Sequence, residues 1–262
     1  MTDTTNPDLC ISNLSVSYGK KPVICDLSLA PIQAGQVTAL VGPNAAGKTT
    51  LLRSIAGLLK ATGQASLRGS NLLGISALER SALVSYMPQS ISQRASLTVL
   101  ESVLATWHAV PRDATMEAGN ARDRAIALLD RLGIADIALE RLDCLSGGQR
   151  QLCGLAQSLI SNPAALLLDE PTSALDLRHQ ATVMSVVREL AAGGKIVICV
   201  LHDLSQAARW ADSTIIMSKG TLHSQGTPDQ TITPQMLAEV YAVRANVERL
   251  DGYPYVLVKE PI

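Results

Sequence analysis

The sequence predicts an α/β fold built on a mostly parallel sheet, with a helical segment inserted into it. Strand-like and helical segments alternate over most of the 262 residues, which is the pattern of a parallel sheet with crossover helices. Residues 164–168 and 196–201 are continuously apolar, as expected for strands that helices cover on both faces. Residues 90–160 have a different, helical character. The sequence therefore predicts one α/β unit with an insertion.

The first part of the chain is predicted to begin with strands and a phosphate-binding turn. Strands are expected over residues 11–18, 23–29 and 36–41, and a helix follows the glycine-rich turn. That helix is predicted from the helical spacing of Leu51, Leu52, Ile55, Leu58 and Leu59. A further pair of strands is expected over residues 64–68 and 83–87.

The inserted segment contains two predicted amphipathic helices. Thr98 and Glu101 form a capping-box pattern at the start of the first, and Gly133 is placed to end the second. Residues 111–119 are polar and predict a loop. After the insertion, strands are expected over residues 164–169, 196–201, 214–217 and 221–224. Helices are expected over residues 180–190 and around 204–211.

Composition limits the class of protein. Lys and Arg total 22 against 23 Asp and Glu, for a net charge of −1, which gives no support to bulk electrostatic binding of nucleic acid or acidic lipid. The mean hydropathy is +0.20, yet the longest apolar runs fall far short of the ~20 residues that span a bilayer. The N-terminal segment has no signal-peptide pattern, and the five cysteines show no metal-type spacing. We expect a cytoplasmic protein that reaches a membrane only through a partner.

A phosphate-binding loop is predicted at residues 42–49, because GPNAAGKT follows a strand and precedes a helix. Glycines let backbone N–H groups point at phosphate oxygens, and the helix terminus adds its positive dipole end. Lys48 is expected to reach the β- and γ-phosphates of ATP, and Thr49 to bind Mg²⁺. The nucleotide-binding residues predicted here are Gly42, Pro43, Asn44, Ala45, Ala46, Gly47, Lys48, Thr49 and Thr50. Ala45 would hinder binding only if its φ had to be positive.

A pair of carboxylates narrows the choice among kinases, GTPases and ATPases, which a phosphate-binding loop alone leaves open. In LLLDEP, residues 166–171, an apolar strand ends in Asp169 and is followed by Glu170. Neighbouring strand residues point to opposite sides, so the two are expected to act differently. We expect Asp169 in the Mg²⁺ shell and Glu170 as the catalytic group that orients and deprotonates the attacking water.

A second anion-binding helix terminus is predicted at LSGGQ, residues 145–149. Its residues Ser146, Gly147, Gly148 and Gln149 open a helix. One nucleotide needs only one phosphate cradle per chain, so the second cradle needs an explanation. With these motifs, the chain resembles the ATP-binding-cassette ATPases over nearly its whole length.

That resemblance implies an α/β RecA-like P-loop core with a mostly parallel sheet, an antiparallel β subdomain and an inserted α-helical subdomain. A single domain over residues 1–262 is expected, with the core at about 1–89 and 161–262. The helical subdomain would occupy 90–160, and a short tail 226–262.

The resemblance also implies roles for individual residues. LSGGQ would clasp the γ-phosphate bound to a second copy of the chain, in a head-to-tail dimer. Tyr18 resembles the aromatic residue that stacks on adenine, and Gln89 the glutamine that touches Mg²⁺. His202 resembles the catalytic histidine that contacts the γ-phosphate, and Asp176 matches an aspartate at the dimer contact.

The C-terminal part favours one branch of the family. Only 60 residues follow His202, too few for the large regulatory domain of sugar-importer ATPases. Residues 226–247 resemble the tail of importers of ferric siderophores, haem and cobalamin, with Ala242 in place of a usual glycine. This implies an ATPase at the cytoplasmic face of the inner membrane, bound to permease subunits and acting indirectly with a substrate-binding protein. Ferric siderophore is the first expectation and haem or cobalamin the alternatives. A non-transport ATPase with a soluble partner, or an ATP-dependent gate without useful turnover, also remains open.

Overall fold

The computed structural model describes residues 8–89, 96–111 and 121–262. Its strands are β1 (Leu9–Tyr18), β2 (Lys21–Ile32), β3 (Val37–Val41), β4 (Thr62–Leu67), β5 (Ser70–Asn71), β6 (Val84–Met87), β7 (Ala165–Asp169), β8 (Ile196–Val200), β9 (Ser213–Ser218), β10 (Thr221–Gly226), β11 (Val243–Leu250) and β12 (Tyr253–Pro261). Its α-helices are α1 (Lys48–Ile55), α2 (Ala77–Leu83), α3 (Val99–Ala109), α4 (Ala121–Arg131), α5 (Gly147–Ile160), α6 (Leu177–Ala192), α7 (Leu204–Trp210), α8 (Pro228–Thr231) and α9 (Pro234–Tyr241).

A six-stranded sheet forms the centre of the molecule. Its strand order is β10-β9-β3-β8-β7-β6. The pairs β9–β3, β3–β8, β8–β7 and β7–β6 are parallel, and only β10 joins antiparallel, at the edge. The predicted mostly parallel sheet is therefore confirmed. Because the strands are parallel, the carboxyl ends of β3, β7 and β8 lie at one edge of the sheet.

Two hydrophobic cores cover the two faces of this sheet, and alternate residues of one strand enter different cores. In β8, Val197 and Cys199 pack into the core shared with α3–α7. Ile198 and Val200 pack into the core shared with α1 and the N-terminal strands. Both faces of the strand are therefore buried, which explains why residues 196–201 read as a continuous apolar run.

A second, antiparallel sheet has the strand order β2-β1-β4-β5. The sequence analysis expected a pair of strands over residues 64–68 and 83–87, and both strands exist. They do not pair with each other, because β4 joins β1 in this antiparallel sheet and β6 joins β7 in the parallel one. A strand's apolar pattern does not identify its partner, so their separate locations required the structure.

The helix after the phosphate-binding turn is shorter than predicted. It ends at Ile55, and Leu58 is largely exposed. Gly57 has a φ of 82°, and Leu58 N–H donates to the carbonyl of Arg53 at 2.9 Å. This is the pattern by which a left-handed glycine closes a helix, so the prediction of a face extending to Leu59 was wrong.

The helical segment between β6 and β7 follows its sequence pattern. Thr98 and Glu101 form the predicted capping box at the start of α3. The predicted end of α4 at Gly133, with a φ of 70°, is also confirmed. Trp107 is buried, with the guanidinium of Arg124 5.2 Å from the ring centroid. Of the loop predicted over residues 111–119, all but the first residue lies outside the described residues.

The chain after β10 forms two short helices and a hairpin. Ala242 ends α9 in the left-handed conformation, with a φ of 54°. Strands β11 and β12 pair antiparallel around Asp251 and Gly252, whose φ angles are 51° and 86°. The sequence analysis did not predict this hairpin.

Across the described ranges, every helix is too short or too polar to span a bilayer.

Candidate nucleotide site

The phosphate-binding turn lies between β3 and α1, and its backbone requires glycine at two points. Gly42 has a φ of 148°, and a Cβ there would lie 2.2 Å from the carbonyl oxygen of Met217. Gly47 caps α1 with a φ of 100°. Strand β9 therefore presses directly against the turn and fixes its shape.

Ala45 has a φ of 63°. A positive φ at this residue is the condition under which the sequence analysis expected alanine to hinder nucleotide binding. An L-residue with a side chain pays a conformational cost in this left-handed region, which glycine avoids. The turn nevertheless closes: Ala46 N–H donates to the carbonyl of Pro43 at 3.2 Å, and Gly220 N–H donates to the carbonyl of Ala46 at 3.0 Å. The neighbouring contacts hold Ala45 in place.

Lys48 begins α1, and its ammonium group lies inside the turn. Its Nζ donates to the carbonyl oxygens of Gly42 at 2.6 Å and Pro43 at 2.9 Å. Burial lowers the pKa of Lys48, while the nearby carboxylates of Glu170 and Asp169 raise it. A phosphate oxygen would replace the carbonyl partners with a charged one, which strengthens the bond.

Asp169 ends β7 and is fully buried. Its two oxygens accept hydrogen bonds from Thr49 Oγ1 at 3.2 Å and from the Tyr86 hydroxyl at 3.0 Å. Burial raises the pKa of this carboxyl group, and the two hydrogen bonds oppose the rise. Burial also raises the pKa of the Tyr86 phenol, so Tyr86 keeps its proton and acts as the donor.

Glu170 lies one residue past the end of β7, in the left-handed conformation with a φ of 55°. Gln89 Nε2 donates to its Oε2 at 2.7 Å, and His202 Nε2 lies 2.5 Å from its Oε1. Only 12% of the Glu170 side chain is exposed, against 46% for His202. Asp169 and Glu170 thus have different partners, although they are adjacent in sequence.

Lys48, Thr49, Gln89, Glu170 and His202 line one open cleft of about 790 Å³, a size common for small-molecule sites. Tyr18 lies at its rim, with 46% of its surface exposed. The lining comprises Tyr18, Lys21, Pro22, Val23, Asn44, Ala45, Ala46, Gly47, Lys48, Thr49, Thr50, Gln89, Glu170, His202 and Lys219. Lys21 and Lys219 were not predicted from sequence, because a surface lysine belongs to no motif that would single it out.

The oxygen atoms at the inner end of this cleft suit a divalent cation. Thr49 offers a hydroxyl, Asp169 a carboxylate and Gln89 an amide oxygen, and hard oxygen ligands are what Mg²⁺ prefers. Thr49 and Asp169 already lie within 3.2 Å of each other. Tyr86 donates to the same carboxylate. Its place near the end of the predicted strand over residues 83–87 was the available sequence indication.

The remaining predicted residues line a different cavity, of about 620 Å³. Ser146 caps α5, where its Oγ accepts from the Gln149 N–H at 3.2 Å and its own N–H donates to the Gln149 side chain at 2.8 Å. Asp176 caps α6 by accepting from the His179 N–H at 2.8 Å. This second cavity is lined by Gly133, Ile134, Asp136, Ile137, Ser146, Gly147, Gly148, Gln149, Leu152, Ala174, Leu175, Asp176 and His179.

The predicted site residues therefore form two groups on one chain. Residues 44–50 of the phosphate-binding turn, Gln89, Glu170 and His202 line the first cleft. Asp169 is buried and contacts this lining through Thr49. Ser146, Gly147, Gly148, Gln149 and Asp176 share the second. The loop 170–176 connects the groups, since it begins at Glu170 and ends at Asp176.

Comparison with known proteins gives a consistent result. Residues 26–173 match the family model described as ABC transporter. The chain is 36% identical over 254 residues to the hemin import ATP-binding protein of Bradyrhizobium diazoefficiens, covering 94% of this chain and 92% of the relative. It is 32% identical over 243 residues to the iron(3+)-hydroxamate import ATP-binding protein of Bacillus subtilis, covering 91% and 89%.

Solved structures share the fold. A metal-chelate type ABC transporter in an inward-facing conformation aligns with a TM-score of 0.78 at 24% identity, covering 98% of both chains. The ADP conformation of the ATP-binding cassette MJ1267 aligns with a TM-score of 0.78 at 23% identity, covering 90% of this chain and 99% of that one. At this identity the likeness concerns the fold.

Proposed function

The chain belongs to the ABC transporter family, which hydrolyses ATP to drive transport, and on that premise we propose that it is the ATPase subunit of an importer for iron complexes. The observation that carries the import role is the similarity to two import ATPases over about nine-tenths of the chain. The observation that carries the ATPase mechanism is the cleft lined by Lys48, Thr49 and Glu170, with the buried Asp169 bonded to Thr49.

The first cleft is proposed to bind ATP with Mg²⁺. Tyr18 at the rim would stack on the adenine ring, and the backbone N–H groups of residues 42–49 would surround the phosphates. Lys48 would move from its backbone carbonyl partners to the β- and γ-phosphate oxygens. Thr49, Asp169 and Gln89 would hold Mg²⁺, which would neutralise the negative charge that develops on the phosphates during hydrolysis.

Glu170 is proposed as the general base and His202 as the group that positions the γ-phosphate. An attacking water would give its proton to Glu170 as its oxygen bonds to the γ-phosphorus. The bond between that phosphorus and the β–γ bridging oxygen would break, leaving ADP and inorganic phosphate. The contact of Gln89 and His202 with the Glu170 carboxylate supports this role, because both side chains can orient the base.

The second cavity is proposed to receive the γ-phosphate of ATP bound to another copy of the chain. Ser146 and the first turn of α5 offer an anion-binding helix terminus, and they line a cavity separate from the chain's own phosphate-binding turn. Two copies arranged head to tail would complete both sites. Closure and reopening of this dimer would then move a membrane permease at the cytoplasmic face of the inner membrane.

Haem is the cargo we place first. The relative at 36% identity is a hemin import protein and the relative at 32% identity an iron(3+)-hydroxamate import protein. This reverses the order of the sequence analysis, which placed ferric siderophore first. A ferric siderophore is the second candidate, because one relative imports iron(3+)-hydroxamate. Cobalamin is the third cargo to be tested.

The decisive experiment reconstitutes the chain with its permease and substrate-binding protein in proteoliposomes. We expect ATP-dependent uptake of haem, and no uptake with a chain carrying Lys48→Ala. Uptake of a ferric hydroxamate instead of haem would select the second cargo. Uptake of cobalamin alone would contradict the iron-complex assignment, and stable association with only a soluble partner would contradict transport.

A further inference from the structure

The loop 170–176, which links the two cavities, is held in place by glutamine side chains. Gln151 lies on α5, five residues after Ser146, and only 5% of it is exposed. Its Nε2 donates to the backbone carbonyl of Glu170 and lies 3.4 Å from Ser173 Oγ. Its Oε1 accepts from the Ala174 N–H at 2.9 Å. The amide of one buried side chain therefore binds the loop at its start and its middle.

The contact with Glu170 bears on the direction in which its carboxylate points. Glu170 has a left-handed backbone, which is disfavoured for a residue with a side chain and persists only where neighbouring contacts fix it. Its carbonyl also accepts from Ser173, through the N–H at 3.3 Å and Oγ at 3.2 Å. Gln151 is thus the contact to this carbonyl that comes from outside the loop.

The far end of the loop is held from the other side. Gln180, on α6, donates from Nε2 to the carbonyls of Leu175 at 3.0 Å and Thr172 at 3.3 Å. Gln206, on α7, donates to Gln180 Oε1 at 2.8 Å. Helix α7 begins two residues after His202. The loop is therefore clamped between α5 and the helices that follow Asp176 and His202.

The loop also touches the glycines of the second cavity. A Cβ at Gly148 would lie 3.1 Å from the carbonyl oxygen of Ala174 and 3.3 Å from the Leu175 side chain. A shift of the first turn of α5 would consequently press on the loop directly. Gln151, one turn further along the same helix, would carry that shift to Glu170.

We propose that Gln151 is a positioning residue that couples the helix α5 terminus to Glu170 within one chain. The proposal rests on the proposed roles of Glu170 as base and of Ser146 as a contact to the partner's nucleotide. When the nucleotide of the partner chain binds at the N-terminus of α5, Gln151 holds loop 170–176 in place. Glu170 then points at the attacking water in the first cleft of the same chain as Gln151. Occupancy of one cleft is in this way linked to hydrolysis in the other.

The test replaces Gln151 by methionine, which keeps the length and packing of the side chain but removes the amide. We expect kcat for ATP hydrolysis to fall about 10- to 100-fold, because small displacements of a catalytic group have effects of that size. The KM for ATP should change less than about twofold, since Gln151 does not line the nucleotide cleft. Gln235→Met is the matched control, because Gln235 bonds to Glu239 on an exposed helix face, and it should keep wild-type kcat.

A pH profile separates positioning from general loss of structure. In Gln151→Glu, an ionised carboxylate cannot donate to the Glu170 carbonyl, whereas the protonated acid can. The ratio of variant kcat to wild-type kcat should therefore rise as the pH is lowered from about 8.5 to about 6. A ratio that is constant with pH, at a lowered melting temperature, would show that Gln151 only stabilises the fold and would overturn the proposal.

Glu170→Gln, measured in parallel, distinguishes failure of this proposal from failure of the proposed function. If Glu170→Gln loses turnover and Gln151→Met keeps it, the coupling is wrong and the proposed function stands. If Glu170→Gln keeps turnover, the base is wrong, and Gln151 cannot act through it. Adding Gln151→Met to Glu170→Gln should lower the residual rate less than about twofold, because residues that act as a unit are not additive. A further tenfold loss would contradict the coupling.

Discussion

The two cavities of this protein differ in how their charges are balanced. At the first cleft, Lys48 lies near the carboxylates of Asp169 and Glu170. Lys48 bonds to the backbone carbonyls of the turn, and the two carboxylates bond to neighbouring side chains. The described lining of the second cavity contains Asp136 and Asp176 together with His179, but no lysine or arginine. What this cavity offers an anion in place of a lysine or arginine is the N-terminus of α5.

This difference indicates what each cavity can bind. A free nucleotide triphosphate carries several negative charges, and the second cavity supplies few positive groups to offset them while adding two carboxylates. A phosphate group whose charge is already neutralised by a lysine and a cation on another chain would be repelled less by these two carboxylates. The first cleft is therefore expected to bind nucleotide by itself, and the second only as part of a pair.

The largest expected effect comes from Glu170→Gln, which tests the first cleft. Hydrolysis should fall about 10²- to 10⁴-fold, as expected when a general base is removed, while ATP binding is retained. Size-exclusion chromatography with ATP should then show a stable dimer. Glu239→Gln is the control, because Glu239 also pairs with a histidine, His223, at 2.8 Å on the surface. If Glu170→Gln kept wild-type turnover, Glu170 would not be the general base.

Ser146→Arg tests the second cavity. Turnover should fall about 10²- to 10³-fold, the usual cost of one lost transition-state contact, because arginine would fill the cavity at the start of α5. Nucleotide affinity of the isolated chain, measured by calorimetry, should stay within about twofold. Ser76→Arg is the matched control, since Ser76 also caps a helix through a capping box and lies outside both cavities. Lost affinity in Ser146→Arg would mean that the two cavities are not independent.

Asp169→Asn separates stability from function within the first cleft. Because burial raises the pKa of Asp169, its ionised form lowers the stability of the fold. This cost is full above the folded pKa and shrinks to zero as the pH falls from there to the unfolded pKa of about 3.9. The free energy of unfolding of the asparagine variant should therefore be higher by ~0.5–2 kcal/mol at neutral pH, with a higher melting temperature, and this advantage should be lost towards acid pH. Mg²⁺-dependent hydrolysis should be lost. Equal melting temperatures for the wild-type protein and Asp169→Asn at pH 7 would show that burial of the ionised Asp169 carboxylate does not destabilise the fold.

The smallest expected effect concerns the two left-handed alanines. Ala45→Gly and Ala242→Gly should each raise the free energy of unfolding by ~0.5–1 kcal/mol, because relief of left-handed strain outweighs the greater freedom of glycine in the unfolded chain. Ala181→Gly, in the exposed part of α6, should lower it by about 1 kcal/mol. Denaturant titration measures all three. A loss of stability in Ala45→Gly would show that the phosphate-binding turn tolerates alanine without strain.

The central sheet and the helix starts could be predicted from sequence because each depends on local chemistry. Apolar runs such as residues 196–201 identify strands buried on both faces, and the Thr98–Glu101 capping box identifies the start of α3. The premature end of α1 was also encoded locally, at Gly57, and the hairpin β11–β12 by the adjacent Asp251 and Gly252. Both indications were present in the sequence and were overlooked.

Other features could not be read from sequence because they depend on distant contacts. The left-handed φ of Ala45 follows from the contacts around the turn, and the separation of β4 from β6 follows from the choice of partner strand. Gln151, Gln180 and Gln206 come from three helices and meet only in the folded chain. A buried amide has no motif, so its role appears only when its hydrogen-bond partners are known.

The division of the predicted residues between two cavities has a consequence for the reaction order. If each cleft works only when the second cavity of another chain covers it, free chains at low concentration should hydrolyse ATP at a rate that scales with the square of their concentration. Halving the concentration would then quarter the rate. A permease that holds two copies side by side would replace these collisions with a local concentration in the millimolar range, and the rate would become proportional to the number of assembled transporters.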